Sequence, residues 1–196
     1  ADEQRLLCLK LATVYADELG RVDDAVARLQ GVLEGRPTDV EAGSLLENIL
    51  GRGDGRDGLR WLHELRTEHA ESDAERARLL NDWAQLEEEF GEVDRARQLY
   101  SRALELAPDD AVALAASVRL ALAAEDWTAA AVGLERQRQL APAEERATKA
   151  LELAELYVDR LAQPAEALSA AREALELDGD RVRAIDVLQK VVDEPG

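Results

Sequence analysis

The chain has 196 residues, 34% of them charged, with 42 acidic against 24 basic side chains for a formal net charge of −18. That balance repels phosphate backbones and argues against direct nucleic-acid contact, and no apolar run reaches the ~18 residues needed to span a bilayer. A lone Cys8 leaves no internal disulfide, aromatics are 4% and Met is absent, so we expect a helical piece of a longer protein in a reducing, cytoplasmic compartment.

In chain order, Asp2–Leu19 predicts a first helix with Leu7, Leu11, Val14 and Tyr15 toward the core and Gly20 ending it. Val22–Glu34 predicts its partner, stopped by Gly35 and Pro37. Thr38 opens the next as a capping box, because Glu41 stands three residues on and can reach back. That helix runs to about Leu50, the segment Gly51–Gly58 breaks it, and a helix with Leu59, Leu62 and Leu65 follows. Ser72 and Glu75 form a second capping box, opening a helix that carries Leu79, Trp83, Leu86 and Phe90 on one side. Beyond the stretch around Gly91, Asp109 or Asp110 caps an Ala-rich helix to about Ala124, and Asp126–Leu140 returns antiparallel to it. Pro142 leads into a helix ending near Leu161, Pro164 opens another at a first-turn position, and Asp180 caps a last helix ending before Pro195.

The stretch Gly91–Asp110 sets the period. Ala96, Tyr100, Ala103 and Leu104 share one helix face, between a glycine suited to positive φ and the helix-stopping Pro108. Ala25, Ala96 and Ala167 follow one another at intervals of 71, as do Leu33, Leu104 and Leu175. Leu11–Gly20 lies over Leu153–Ala162 at twice that interval. A fixed period of this kind marks a stacked repeat array. The interval of 71 covers four helices, which points to duplication of a paired unit.

The helix pairs average about 35 residues, and in the third pair Ala84, Gly91, Ala96, Tyr100, Ala103 and Pro108 stand in the order of the tetratricopeptide repeat (TPR). The chain resembles that family over essentially its whole length, although Gly58 occupies the Ala position of the second pair. Glu87 replaces the usual TPR aromatic, and Trp83-Ala84 with Leu86-Glu87 is similar to the half-a-TPR (HAT) variant. The resemblance implies an all-α, right-handed superhelical solenoid of about eleven antiparallel helices, five and a half pairs, with residues 1–196 as a single solenoid. It also implies that the first helix of each pair lines a concave groove. On that alignment the groove residues are Glu47, Asn81, Gln85, Glu88, Arg119 and Glu155. The Lys/Asn set by which chaperone-binding TPR domains clamp a terminal carboxylate is missing, since the chain has only Lys10, Lys149 and Lys190.

Nothing in the sequence asks for a cofactor, a metal or a catalytic residue. Gly53, Gly55 and Gly58 spell G-x-G-x-x-G, but a dinucleotide site needs a strand before it and here a helix precedes. Arg52-Gly53-Asp54 is an adhesion-type tripeptide that a Gly-rich turn produces by chance. Asp178-Gly179-Asp180 starts like a calcium loop and lacks its later ligands. His63 and His69 are six apart, which puts them on different sides of a helix. The three Trp and three Tyr stand at or near repeat core positions, where they anchor packing. The expected function is therefore a non-enzymatic protein-interaction scaffold holding a basic protein or peptide. The alternative is a regulatory TPR module of a larger multidomain enzyme or signalling protein; an RNA-processing scaffold is disfavoured by the charge. Self-association is expected through the last helix, where Val187, Leu188, Val191 and Val192 lack a following partner.

Overall fold

The computed structural model describes residues 2–177 and 179–193. The described residues are 83% helical and form eleven α-helices and no strand. The architecture is all-α. Two compact units divide it, Ala1–Glu92 and Val93–Gly196, and within each unit a helix packs on the next along the chain.

The first unit holds α1 (Asp2–Thr13), a π-turn (Val14–Glu18), α2 (Val22–Gly35), α3 (Val40–Leu50), α4 (Arg56–Glu68) and α5 (Asp73–Glu89). Leu9, Ala12, Ala25, Leu29, Leu33, Leu46 and Leu62 are among the residues of one buried cluster. The register of α1 differs from expectation, for Leu7 is 57% exposed while Leu9 and Ala12 are buried. Ala12 is small enough to let α2 approach closely, and Leu9, one turn earlier, is carried inward with it.

The second unit holds α6 (Val93–Leu106), α7 (Ala111–Ala123), α8 (Trp127–Leu140), α9 (Ala143–Leu156), a second π-turn (Tyr157–Leu161), α10 (Pro164–Glu176) and α11 (Arg181–Asp193). Ala154, Ala167, Ala170, Ala171 and Val187 form one of its buried clusters. Val187 is thus fully covered, and Leu188 and Val191 are half-buried against the same cluster. The uncovered apolar side of α11 consists instead of Val182, Ile185 and Val192. The alanines of α10 draw α11 in by its Val187 side and turn the other side outward.

Most helix starts follow the sequence. Ser72, Asp110 and Asp126 accept hydrogen bonds from the backbone N–H three residues on, at 3.2, 2.8 and 3.1 Å. The cap of α3 is the exception: Asp39, not Thr38, accepts from Ala42 N–H at 3.1 Å. The Asp39 carboxylate is also gripped by the Arg5 guanidinium, whose Nη2 donates to Oδ1 at 2.7 Å and which holds its pKa down to about 2. A threonine hydroxyl offers no such second partner.

Ala12, Ala84 and Ala154 are fully buried in the first helices of their pairs, as are Ala25, Ala96 and Ala167 in the second. Ala25 follows Ala12 by 13 residues and Ala167 follows Ala154 by 13, whereas Ala96 follows Ala84 by 12. The extra residue of the outer copies is taken up by the two π-turns, each a helical turn one residue wider than normal. Each turn is closed alike: Arg21 N–H donates to Tyr15 O at 2.7 Å and Gln163 N–H to Tyr157 O at 3.0 Å. All three copies then leave the helix through a left-handed residue, Gly20 (φ 63°), Gly91 (φ 79°) and Ala162 (φ 50°). Only the third carries a β-carbon there. Ala162→Gly should therefore stabilise the protein by about 0.5–1 kcal/mol, read as a higher urea midpoint with an unchanged slope.

Candidate functional site

In the second unit, α7, α8, α9 and the π-turn enclose an open groove of about 630 Å³. On α7, Ala115, Val118, Arg119 and Leu122 fall at i, i+3, i+4 and i+7 and so form one stripe. On α9, Lys149, Glu152 and Leu156 make the facing stripe, continued by Glu155, Asp159 and Arg160. Val118, Leu134 and Leu156 are buried beneath the floor, Trp127 is half-buried, and Leu122 stands 39% exposed at the surface of the groove.

The rim is charged but internally matched. Lys149 Nζ donates to Glu152 at 2.8 Å. Arg183 of α11 makes a two-pronged bond to Glu155, Nε and Nη2 each at 2.8 Å, and that carboxylate raises the guanidinium's pKa. Lys190 Nζ donates to Asp159 at 2.9 Å, and its hydrogen bonds to the carboxylates of Asp159 and then Asp186 raise its pKa in turn. Beside them the Arg160 guanidinium lies 4.8 Å from the centre of the Trp127 ring. Such a contact stabilises by roughly 0.5–1 kcal/mol at an exposed site. Burial pushes the pKa of the Tyr157 phenol up where it packs into the cluster below.

Two of the residues expected to line a groove, Arg119 and Glu155, do so together here. The other four lie in the first unit. Glu47 is half-buried and accepts from Arg66 Nη1 and Nη2, both at 3.2 Å. Gln85 is exposed and Glu88 half-buried on α5, but Asn81 is buried at 4% exposure and offers almost no surface to a partner. Asn81 follows Leu80 and precedes Trp83, and the helix face those two bury takes it inside as well.

Leu122, Lys149, Glu152 and Arg160 are not marked as groove residues by the sequence, and Trp127 reads there as a packing anchor alone. One signal is present. Leu11–Gly20 and Leu153–Ala162 correspond position by position, and where the first has Glu18 the second has Arg160.

The other constellations have local explanations. A β-carbon at Gly55 would fall 2.7 Å from Leu50 Cβ, and one at Gly58 2.8 Å from its Cδ1, so these glycines let the α3–α4 turn close over Leu50. His63 is buried with its ring 6.3 Å from Trp83, and burial pushes its pKa down; His69 is exposed. Asp180 caps α11, accepting from Val182 N–H at 2.9 Å and Arg183 N–H at 3.2 Å, while Asp178 lies outside the described residues. Among the described residues no three His, Cys, Asp or Glu side chains come together as a metal site, and no helix is long and apolar enough to cross a membrane.

The tetratricopeptide-repeat family model matches residues 77–123, from within α5 to the end of α7. The match is to that repeat and does not extend to the half-a-TPR variant. No curated protein matches the chain. Among solved structures, a thermophilic TPR protein from Thermus thermophilus is 18% identical, with a TM-score of 0.38 over 95% of this chain and 98% of its own. A tetratricopeptide repeat protein from Parabacteroides merdae is 15% identical, with a TM-score of 0.46 over 96% of this chain and 86% of its own. Repeats of this family are generally protein–protein interaction modules, typically without enzymatic activity. The matched residues surround Gly91, on which the 71-residue period turns, and over residues 77–123 the chain is similar to a tetratricopeptide repeat.

Proposed function

We propose that the protein is a non-enzymatic scaffold that holds a segment of another protein in the groove between α7 and α9. The observation that carries this reading is the groove itself: an apolar floor, one exposed leucine and a charged rim. A buried apolar anchor supplies most of the affinity at such a site, while rim charges set association rate and register. Of the residues expected to line a groove, Asn81 belongs to the interior and takes no part in this reading.

Leu122→Glu tests this directly, since it places a charge where the anchor would sit and leaves the buried residues intact. The expected result is loss of at least tenfold in affinity for a partner captured by the wild-type protein, with the helical signal and melting unchanged. Glu155→Lys should give a smaller loss, because it repels Arg183 and disorders the rim. A captured partner that binds the Leu122→Glu variant as well as the wild type would place the binding surface elsewhere.

A further inference from the structure

The protein carries a net charge of −18, and on charge alone its partner would be basic. The groove has the opposite tendency. Its lining holds Arg119, Lys149 and Arg160 against Glu152, Glu155 and Asp159, an even balance in a strongly acidic chain. Each of the three carboxylates is occupied by a cation, Glu155 and Asp159 by Arg183 and Lys190 from outside the lining. A basic ligand would have to displace those bonds to reach the acid. Arg160, by contrast, rests on the face of Trp127 and meets no carboxylate among the described residues. Its neighbours in the groove leave it beside an apolar floor with the exposed Leu122.

From this we infer that the groove takes an acidic segment, in which an Asp or Glu meets Arg160 while a large apolar side chain of the same segment lies over Leu122 and Leu156. The inference rests on the groove reading above and adds the polarity of the ligand. Trp127 holds the guanidinium plane in place, so little side-chain freedom is lost when a carboxylate binds. The π-turn has a part in this. Arg160 is its fourth residue, and the wider turn re-aims side chains that a regular helix would carry elsewhere. In the first copy the corresponding residue is Glu18, so the feature is particular to this groove.

The test is selection of a phage-displayed random peptide library on the full chain, followed by affinity measurement with the enriched peptides. Enrichment of Asp or Glu next to Leu, Ile or Phe is expected. Arg160→Glu should weaken those peptides about tenfold, and exchanging the peptide's acid for Lys should restore binding to that variant. Arg160→Gln should leave an Asn- or Gln-substituted peptide unaffected, which a merely structural arginine would not do. If the enriched peptides are basic and depend on Leu122, the groove stands and the polarity is overturned. If the peptides are indifferent to Leu122→Glu, or none enriches, the groove reading falls and this inference with it.

Discussion

Glu87→Ala should lower the unfolding free energy by about 3 kcal/mol, the range for losing one partner of a buried pair. The carboxylate is fully buried in α5 and accepts from Arg60 Nε at 2.9 Å, Arg60 Nη2 at 2.7 Å and Trp83 Nε1 at 3.0 Å. Arg60 in turn lies 5.6 Å from the centre of the Phe90 ring, whose other neighbour is Arg56 at 4.9 Å. Removing the acid leaves a guanidinium in a site shaped for a charged partner. Its side chain keeps 22% exposure and can lean toward Glu92 at 3.9 Å, which limits the loss. Arg60→Leu with Glu87→Leu should cost much less than the two single changes together, because the pair is exchanged for apolar volume. Urea denaturation of the four proteins closes the cycle. Additive losses would mean that the pair is not coupled.

Ala167→Leu should cost about 1–3 kcal/mol by overpacking. Ala167 is fully buried in α10, in a cluster with Ala154, Ala170, Ala171 and Val187. Every member but Val187 is an alanine, so the helices pack near their backbones and three further heavy atoms find no room. Ala96→Leu should behave alike, since Ala96 is as fully buried in α6. Ala165→Leu, on the exposed side of α10, is the control and should be within about 0.5 kcal/mol of wild type. Equal effects at positions 165 and 167 would show that the close approach is not what the alanines serve.

The helices are legible in the sequence because their signals are local. Ser72, Asp110 and Asp126 cap where a side chain three residues ahead of its target must cap, and the 71-residue interval by itself picks out the buried alanines. What the sequence hides depends on a second element. Thr38 and Asp39 are equally good caps in isolation, and Arg5, more than thirty residues away, decides between them. The side of α11 that faces outward is set by the alanines of α10. In the groove, Arg119 and Glu155 can be found by counting along helices, but Arg160 cannot. It sits in a turn whose width no hydrophobic pattern announces, and its role needs Trp127 of another helix.

The π-turns also bear on how such an array could have grown. A residue gained inside an ordinary helix would rotate everything after it by about 100° and misalign the next pair. Here the gain is confined to one loosened ring of hydrogen bonds between Ala12 and Ala25, and again between Ala154 and Ala167, so both alanines of each pair keep their places. That turn is a tolerance built into the unit. Copies of unequal length can descend from one ancestor without breaking the stack, and the lengthened copies are free to aim a different side chain from the joint.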